Sequence, residues 1–152
     1  MIDYIRIYKN IFPKEALSLF RKYIEGLEFE NATVVGGKSG QTYNPNTRDT
    51  KVFGLNNLGD GYTKAKWYNL IKFISKNILN TYQRDINHTE PIYQEISTIE
   101  ILKYKEKGFF NFHVDHCYKI PRSLSISFLI NDDYEGGELE FENSVTKKNL
   151  LI

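Results

Sequence analysis

Two residues in this chain bring together chemistry that packing alone does not call for. His113-Val114-Asp115 places an imidazole and a carboxylate two positions apart, and residues two apart share one face of an extended strand. A neutral imidazole nitrogen and a carboxylate oxygen can both reach one divalent ion. They supply two legs of the 2-His-1-carboxylate facial triad, which leaves three positions of Fe(II) open. The plainer alternative is a hydrogen-bonded pair at a strand end, and an H-x-D triplet by itself does not choose between the two. On strict alternation, Asn111 and Phe109 share the face of His113, while Phe110, Phe112 and Val114 pack on the other.

The neighbouring sequence adds weight to the metal reading. Ser123, Ser125 and Ser127 alternate with Leu124, Ile126 and Phe128, which predicts a strand with one small, polar face. Such a face leaves room for a ligand among a few placed polar groups. Tyr104, ending the preceding strand, offers a phenol that can donate to a carboxylate ligand.

The elements that must position these residues follow from periodicity. Residues 1–9 read as a first strand. Pro13 suits a helix start and Gly26 a helix end, with Leu17, Phe20 and Ile24 on the apolar face. Residues 31–61 are polar and rich in Gly and Asn, a long irregular segment with a short strand near 50–53. A loop of that length is either a lid that contacts substrate or a poorly packed connection. Within it, Ala32 to Ser39 imitates a phosphate-binding loop, but Gly40-Gln41-Thr42-Tyr43-Asn44-Pro45 will not start the helix such a loop needs. Trp67, Leu70, Ile71, Ile74 and Ile78 trace one face of a second helix from Thr63 to about Thr81, capped by Asp60 or Thr63. From Glu95 onward the pattern is strand after strand: 96–104, 109–114, 123–130, 138–141 and 149–152. Helices followed by a run of strands indicate an α+β fold.

Composition bounds the function. A chain of 152 residues with net charge +1 is expected to form one domain and gives no bulk electrostatic reason to bind nucleic acid or an anionic membrane. Cys117 is the only cysteine, so an internal disulfide and a cysteine-based zinc site are excluded. Neither a secretory leader nor a membrane-length apolar run is present in these residues, and a cytoplasmic location is expected. The abundance of Ile, Lys, Asn and Tyr fits an AT-rich microbial or viral genome.

Taken in order, Tyr104, Gly108, His113-Val114-Asp115, Arg122, Ser125, Asn131 and Gly136-Gly137-Glu138-Leu139 resemble the core of the prolyl 4-hydroxylase-like Fe(II)/2-oxoglutarate dioxygenases. The match is tight from Tyr104 to Phe141, and looser over the segment from Ile5 to Ile24. The resemblance implies a double-stranded β-helix (jelly-roll) core backed by two N-terminal helices. Residues 1–90 would be the helical support layer and residues 91–152 a partial core. It implies that His113 and Asp115 ligate iron and that Tyr104 contacts 2-oxoglutarate. Arg122 and the Gly136-Gly137 turn would be mainly structural, with Arg122 alternatively facing substrate. Fe(II), 2-oxoglutarate and O2 would be required, with ascorbate as an accessory reductant, to hydroxylate a peptidyl (prolyl-type) or other C–H substrate.

The family also needs a distal histidine and a downstream Arg or Lys. The chain holds only His88, His113 and His116. His88 reads as solvent-exposed. His116 is adjacent to Asp115, so a regular strand aims it at the opposite face and only a bulge would re-aim it. Residues 147–152 resemble the start of the strand that leads to the distal histidine, so the chain is expected to be a C-terminally incomplete copy, weak in iron binding. Two other classes stay open: a non-catalytic jelly-roll binding module that retains H-x-D, and a cupin-type metalloenzyme, which would need more histidines.

Overall fold

A computed structural model describes residues 4–35, 40–56, 61–90, 95–96, 98–116, 122–143 and 148–151. The chain is mixed α+β, with helices α1 (Lys14–Glu25) and α2 (Tyr62–Asp85). Nine short strands accompany them among the described residues: β1 (Glu30–Asn31), β2 (Val34–Val35), β3 (Gln41–Thr42), β4 (Arg48–Asp49), β5 (Lys51–Gly54), β6 (Glu100–Lys103), β7 (Phe109–Phe110), β8 (Glu140–Asn143) and β9 (Lys148–Leu151). They form one three-stranded sheet in the order β1-β5-β6 and three pairs, β2-β3, β4-β7 and β8-β9. No sheet closes on itself among the described residues.

The chain divides into two compact units, the first made of residues 1–30 and 52–103, the second of residues 31–51 and 104–152. In the first unit the helices follow the apolar spacing. Pro13 precedes α1 and Gly26 caps it, with the Gly26 amide donating to Tyr23 O. Phe20 is buried, its ring 4.8 Å from that of Trp67 and 5.9 Å from that of Phe12. On α2 the buried stripe runs Trp67, Ile71, Ile74, Ile78 and Tyr82, with Leu70 at its half-buried margin. The helix extends one turn beyond the expected end at Thr81 because Tyr82 continues the stripe and its phenol donates to Tyr4 O at 2.7 Å. Thr63 is not the expected cap: Gly61 occupies the N-cap position with φ 96° and no side chain among the described residues caps the helix, while Asp60 lies outside the described residues.

Residues 4–9 do not form the expected first strand. No neighbouring strand among the described residues supplies a ladder, and this segment is tied to the end of α2 instead. The Tyr8 phenol donates to Asp85 Oδ2 at 2.6 Å and Arg6 Nη2 donates to Asp85 O at 3.4 Å. Burial, then the bond to Asp85, pushes the Tyr8 phenol up to about 12. Burial likewise raises Tyr82.

The strands of the second unit are shorter than alternation predicts. Residues 123–130 form no strand, and Leu124 and Ile126 remain exposed. Alternating polarity makes a segment competent to pair, but a ladder needs a partner strand in register. The strand expected over 109–114 is paired only at Phe109 and Phe110, and in the first unit the one expected over 96–104 is formed, among the described residues, at Glu100–Lys103. The imitation of a phosphate loop is the β2-β3 hairpin, with Val34 opposite Thr42. Its tip, residues 36–39, lies outside the described residues, as does Cys117. No helix follows that hairpin in residues 40–56. No helix of the described residues is long and apolar enough to cross a membrane.

Candidate metal centre

The site is built outward from the segment the sequence leaves irregular. Asn44 makes an Asx turn, its Oδ1 accepting from the Asn46 amide at 3.1 Å and its carbonyl from the Arg48 amide at 3.0 Å. Asn and Pro in that order favour such a turn. The chain leaves it as β4, which pairs antiparallel with β7, Arg48 opposite Phe110 and Asp49 opposite Phe109. Two further bonds extend the pairing to Asn111. Its amide donates to Thr47 O at 3.0 Å and its Nδ2 to Asn46 O at 3.2 Å.

A turn closed by the Gly108 amide on Lys105 O brings the chain into β7. Only glycine fits there, because a Cβ on Gly108 would stand 2.9 Å from both Asp49 O and Lys105 O. Lys105 Nζ pairs with Asp49 Oδ2 at 2.9 Å, and that bond raises the lysine's affinity for its proton.

Past β7 the backbone leaves the ladder, and alternation no longer decides where side chains point. Phe112 and Val114 are exposed, at 59% and 80%, instead of packing inward. Phe110, expected opposite His113, lies flat against it, with ring centroids 3.7 Å apart and planes 18° from parallel. The Arg48 guanidinium also lies over Phe110, 4.6 Å from its centroid.

His113 and Asp115 do converge. His113 Nδ1 is 2.8 Å from Asn111 O. A carbonyl only accepts, so Nδ1 carries the proton and, in the neutral ring, Nε2 presents its lone pair. That lone pair faces Asp115 Oδ1 at 3.3 Å. Two acceptors at this separation need a cation between them, either a proton on Nε2 or a metal ion. The other oxygen of Asp115 accepts from the Ser125 hydroxyl, so one of the three serines of the expected polar face reaches the carboxylate, without the strand. Arg122 Nη1 stands 3.7 Å from Oδ1, an ion pair rather than a hydrogen bond.

A backbone carbonyl on the far nitrogen of a histidine and a hydroxyl on the far oxygen of a carboxylate are the usual outer partners of metal ligands. The donors therefore fit a divalent transition metal at two positions. A third is not assembled: no group of three or more His, Cys, Asp or Glu able to hold a metal occurs among the described residues.

No family model, curated protein or solved structure matches the chain.

The remaining candidates stand apart from this pair. His116 is turned away by its own backbone bond, Nδ1 to Arg122 O at 3.1 Å. His88 is exposed in the first unit, as expected. Tyr104 is 47% exposed, and no hydrogen bond among the described residues links it to His113 or Asp115. Gly136 and Gly137 take φ of 77° and 74°, a region that favours glycine, which fits a structural turn. Arg48 is the site residue that sequence reasoning missed, and Asn111, expected on the face of His113, contributes through its backbone carbonyl instead. The only signal for Arg48 was the Asn44-Pro45-Asn46 turn ahead of it, which marks a chain reversal without naming its partner.

Proposed function

We propose that this chain carries the iron site of an Fe(II)- and 2-oxoglutarate-dependent dioxygenase of the prolyl 4-hydroxylase-like type, on a jelly-roll core. The observation that carries the reading is the convergence of His113 Nε2 and Asp115 Oδ1 at 3.3 Å, with the histidine's other nitrogen held by Asn111 O. Both donor atoms are prepared from behind, which is what a ligand needs before an ion arrives. His113 and Asp115 would hold Fe(II), which when bound supplies the oxidative decarboxylation of 2-oxoglutarate by O2 that drives hydroxylation of a C–H bond.

The chain's own residues have narrower tasks in this reading. Asn111 O keeps the His113 proton on Nδ1, so that Nε2 remains a donor. Ser125 holds one Asp115 oxygen, leaving the other for the ion. Tyr104 supplies a hydroxyl to 2-oxoglutarate, and Arg122 steadies Asp115 or faces substrate. The substrate is a peptidyl (prolyl-type) or other C–H compound, and ascorbate would serve as an accessory reductant.

A second reading has its own support. Arg122 and Ser125 already partner Asp115, and two protein donors are fewer than the facial triad requires. The cluster then serves a non-catalytic binding module. Succinate formation from 2-oxoglutarate with Fe(II) and O2 separates the two. In the enzyme reading His113→Ala abolishes it, and equal succinate from both proteins sinks that reading. The gene beyond codon 152 gives an independent check: the enzyme reading expects a histidine and then an Arg or Lys downstream, and an in-frame stop there counts against activity.

A further inference from the structure

We propose that Arg48 is a positioning residue for His113, acting through the ring of Phe110. The orientation of the imidazole is fixed at two places, and both lead back to the turn that ends in β4. One is its face, stacked on Phe110 at 3.7 Å. The other is Nδ1, held by Asn111 O at 2.8 Å. Phe110 lies opposite Arg48 in the ladder and under its guanidinium at 4.6 Å. Asn111 is bonded to Thr47 O and Asn46 O. Three consecutive residues, Asn46, Thr47 and Arg48, thus grip the two that hold the histidine.

Arg48 itself is anchored so that it cannot swing clear of the ring. Its Nη1 donates to Thr33 O at 3.1 Å, across the base of the β2-β3 hairpin. Its Nε is buried with no hydrogen-bond partner among the described residues. A buried N–H left without an acceptor is costly, so a role confined to tethering the hairpin does not account for this placement. A planar guanidinium lying on an aromatic face does, since the ring attracts the cation while the fork stays free to bond elsewhere. Lysine would keep the charge and lose the plane. The rotational setting of His113, and with it the direction of Nε2 toward Asp115, then depends on a residue from the segment that reads as a loop.

This role of Arg48 rests on the iron-site reading for its functional meaning, but it is tested without iron. Long-range nitrogen–proton NMR spectra of the imidazoles in the full metal-free chain report the His113 tautomer and its ring-current shift. In the wild type a single tautomer protonated at Nδ1 is expected. In Arg48→Ala and Arg48→Lys the His113 signals should move toward free-imidazole positions and mix tautomers, while Phe110→Tyr, which keeps the ring, should leave them in place. Lys105→Ala is the control, because it loosens the same β4-β7 pair through Asp49 without touching Phe110. Unchanged His113 signals in Arg48→Lys overturn the proposal, as does an equal disturbance in Lys105→Ala, which would reduce Arg48 to a ladder tether. If Arg48→Ala does not fold, the lysine and tyrosine variants still decide. Titration with Co(II) alone adds a second readout, an affinity loss of about tenfold in Arg48→Lys. Wild-type protein that binds no Co(II) argues against the iron-site reading, while the His113 spectra still decide the role of Arg48.

Discussion

In the first unit the described residues include a continuous apolar stripe, with Phe20, Leu55, Trp67, Ile71, Ile74, Ile78, Leu79, Tyr82 and Ile101 all buried. In the second, Ala32 is the only buried apolar residue described, and Phe109, Phe112, Val114, Leu124, Ile126, Leu129 and Leu139 are exposed. Fully burying one large side chain contributes about 1.5–3 kcal/mol. A typical hydrogen bond contributes a net of about 1 kcal/mol, and an ion pair as exposed as Arg122–Asp115 contributes less than that. One unit is held mainly by non-directional burial. The other is held by directional contacts that set angles more firmly than they add stability.

The contrast is most open to challenge in the core. Trp67→Ala should cost about 3–5 kcal/mol, as large aromatic deletions in a core do, measured by denaturant unfolding. A loss under about 1 kcal/mol would show that the α2 stripe is not a core. Next comes Gly108→Ala, which forces a Cβ against Asp49 O and Lys105 O. Overpacking of this kind costs about 1–3 kcal/mol. The damage should appear as faster amide exchange at Phe110 and Asn111, with α2 protected as before. Exchange that quickens equally along α2 would contradict separate modes of support.

Smaller effects probe the same difference. Tyr8→Phe should cost about 1 kcal/mol, the worth of one hydrogen bond. Its pH signature is distinctive, because folding raises the phenol from 10.0 to about 12. The folded chain holds that proton more tightly than the unfolded one, so the stabilisation is complete below pH 10 and is lost as pH rises through 12. Wild type should therefore lose more stability than Tyr8→Phe across that interval, and parallel curves would refute the assignment. Leu129→Ser should change stability by no more than about 0.5 kcal/mol, as exposed positions do. A larger loss would mean the second unit buries more than it shows.

The features legible in the sequence were those that local chemistry decides. Pro13 and Gly26 bracket α1, and the Trp67–Ile78 stripe gives α2, because helical bonds and helical spacing lie within one segment. The pairing of Arg48 with Phe110 was not legible. Neither residue carries a local mark of the other, and two-residue strands have no period to detect. The run from Ser123 to Ile130 misled for the opposite reason, a clean alternation that forms no strand. At the site, residue type and spacing picked out His113 and Asp115, and the serine alternation reached Ser125. The stack of Phe110 on His113 defied alternation, because the ladder ends at Phe110 and the backbone is free to turn the imidazole back.

The place of α2 in the chain also bears on the order of folding. β4 and β7 lie about 60 residues apart in sequence, and closing a flexible loop of that length carries an entropic cost that grows with the logarithm of its length. Almost all of the intervening chain belongs to the first unit, which it enters through β5 and leaves through β6, neighbours in one sheet. Once that unit has formed, its entry and exit are adjacent and the effective loop is only the few residues outside it. Local helical contacts form early and distant strand pairs late, so the histidine site should appear in a slow phase that waits on the core. Weakening the core at Trp67 would then delay the site as well as loosen the helices.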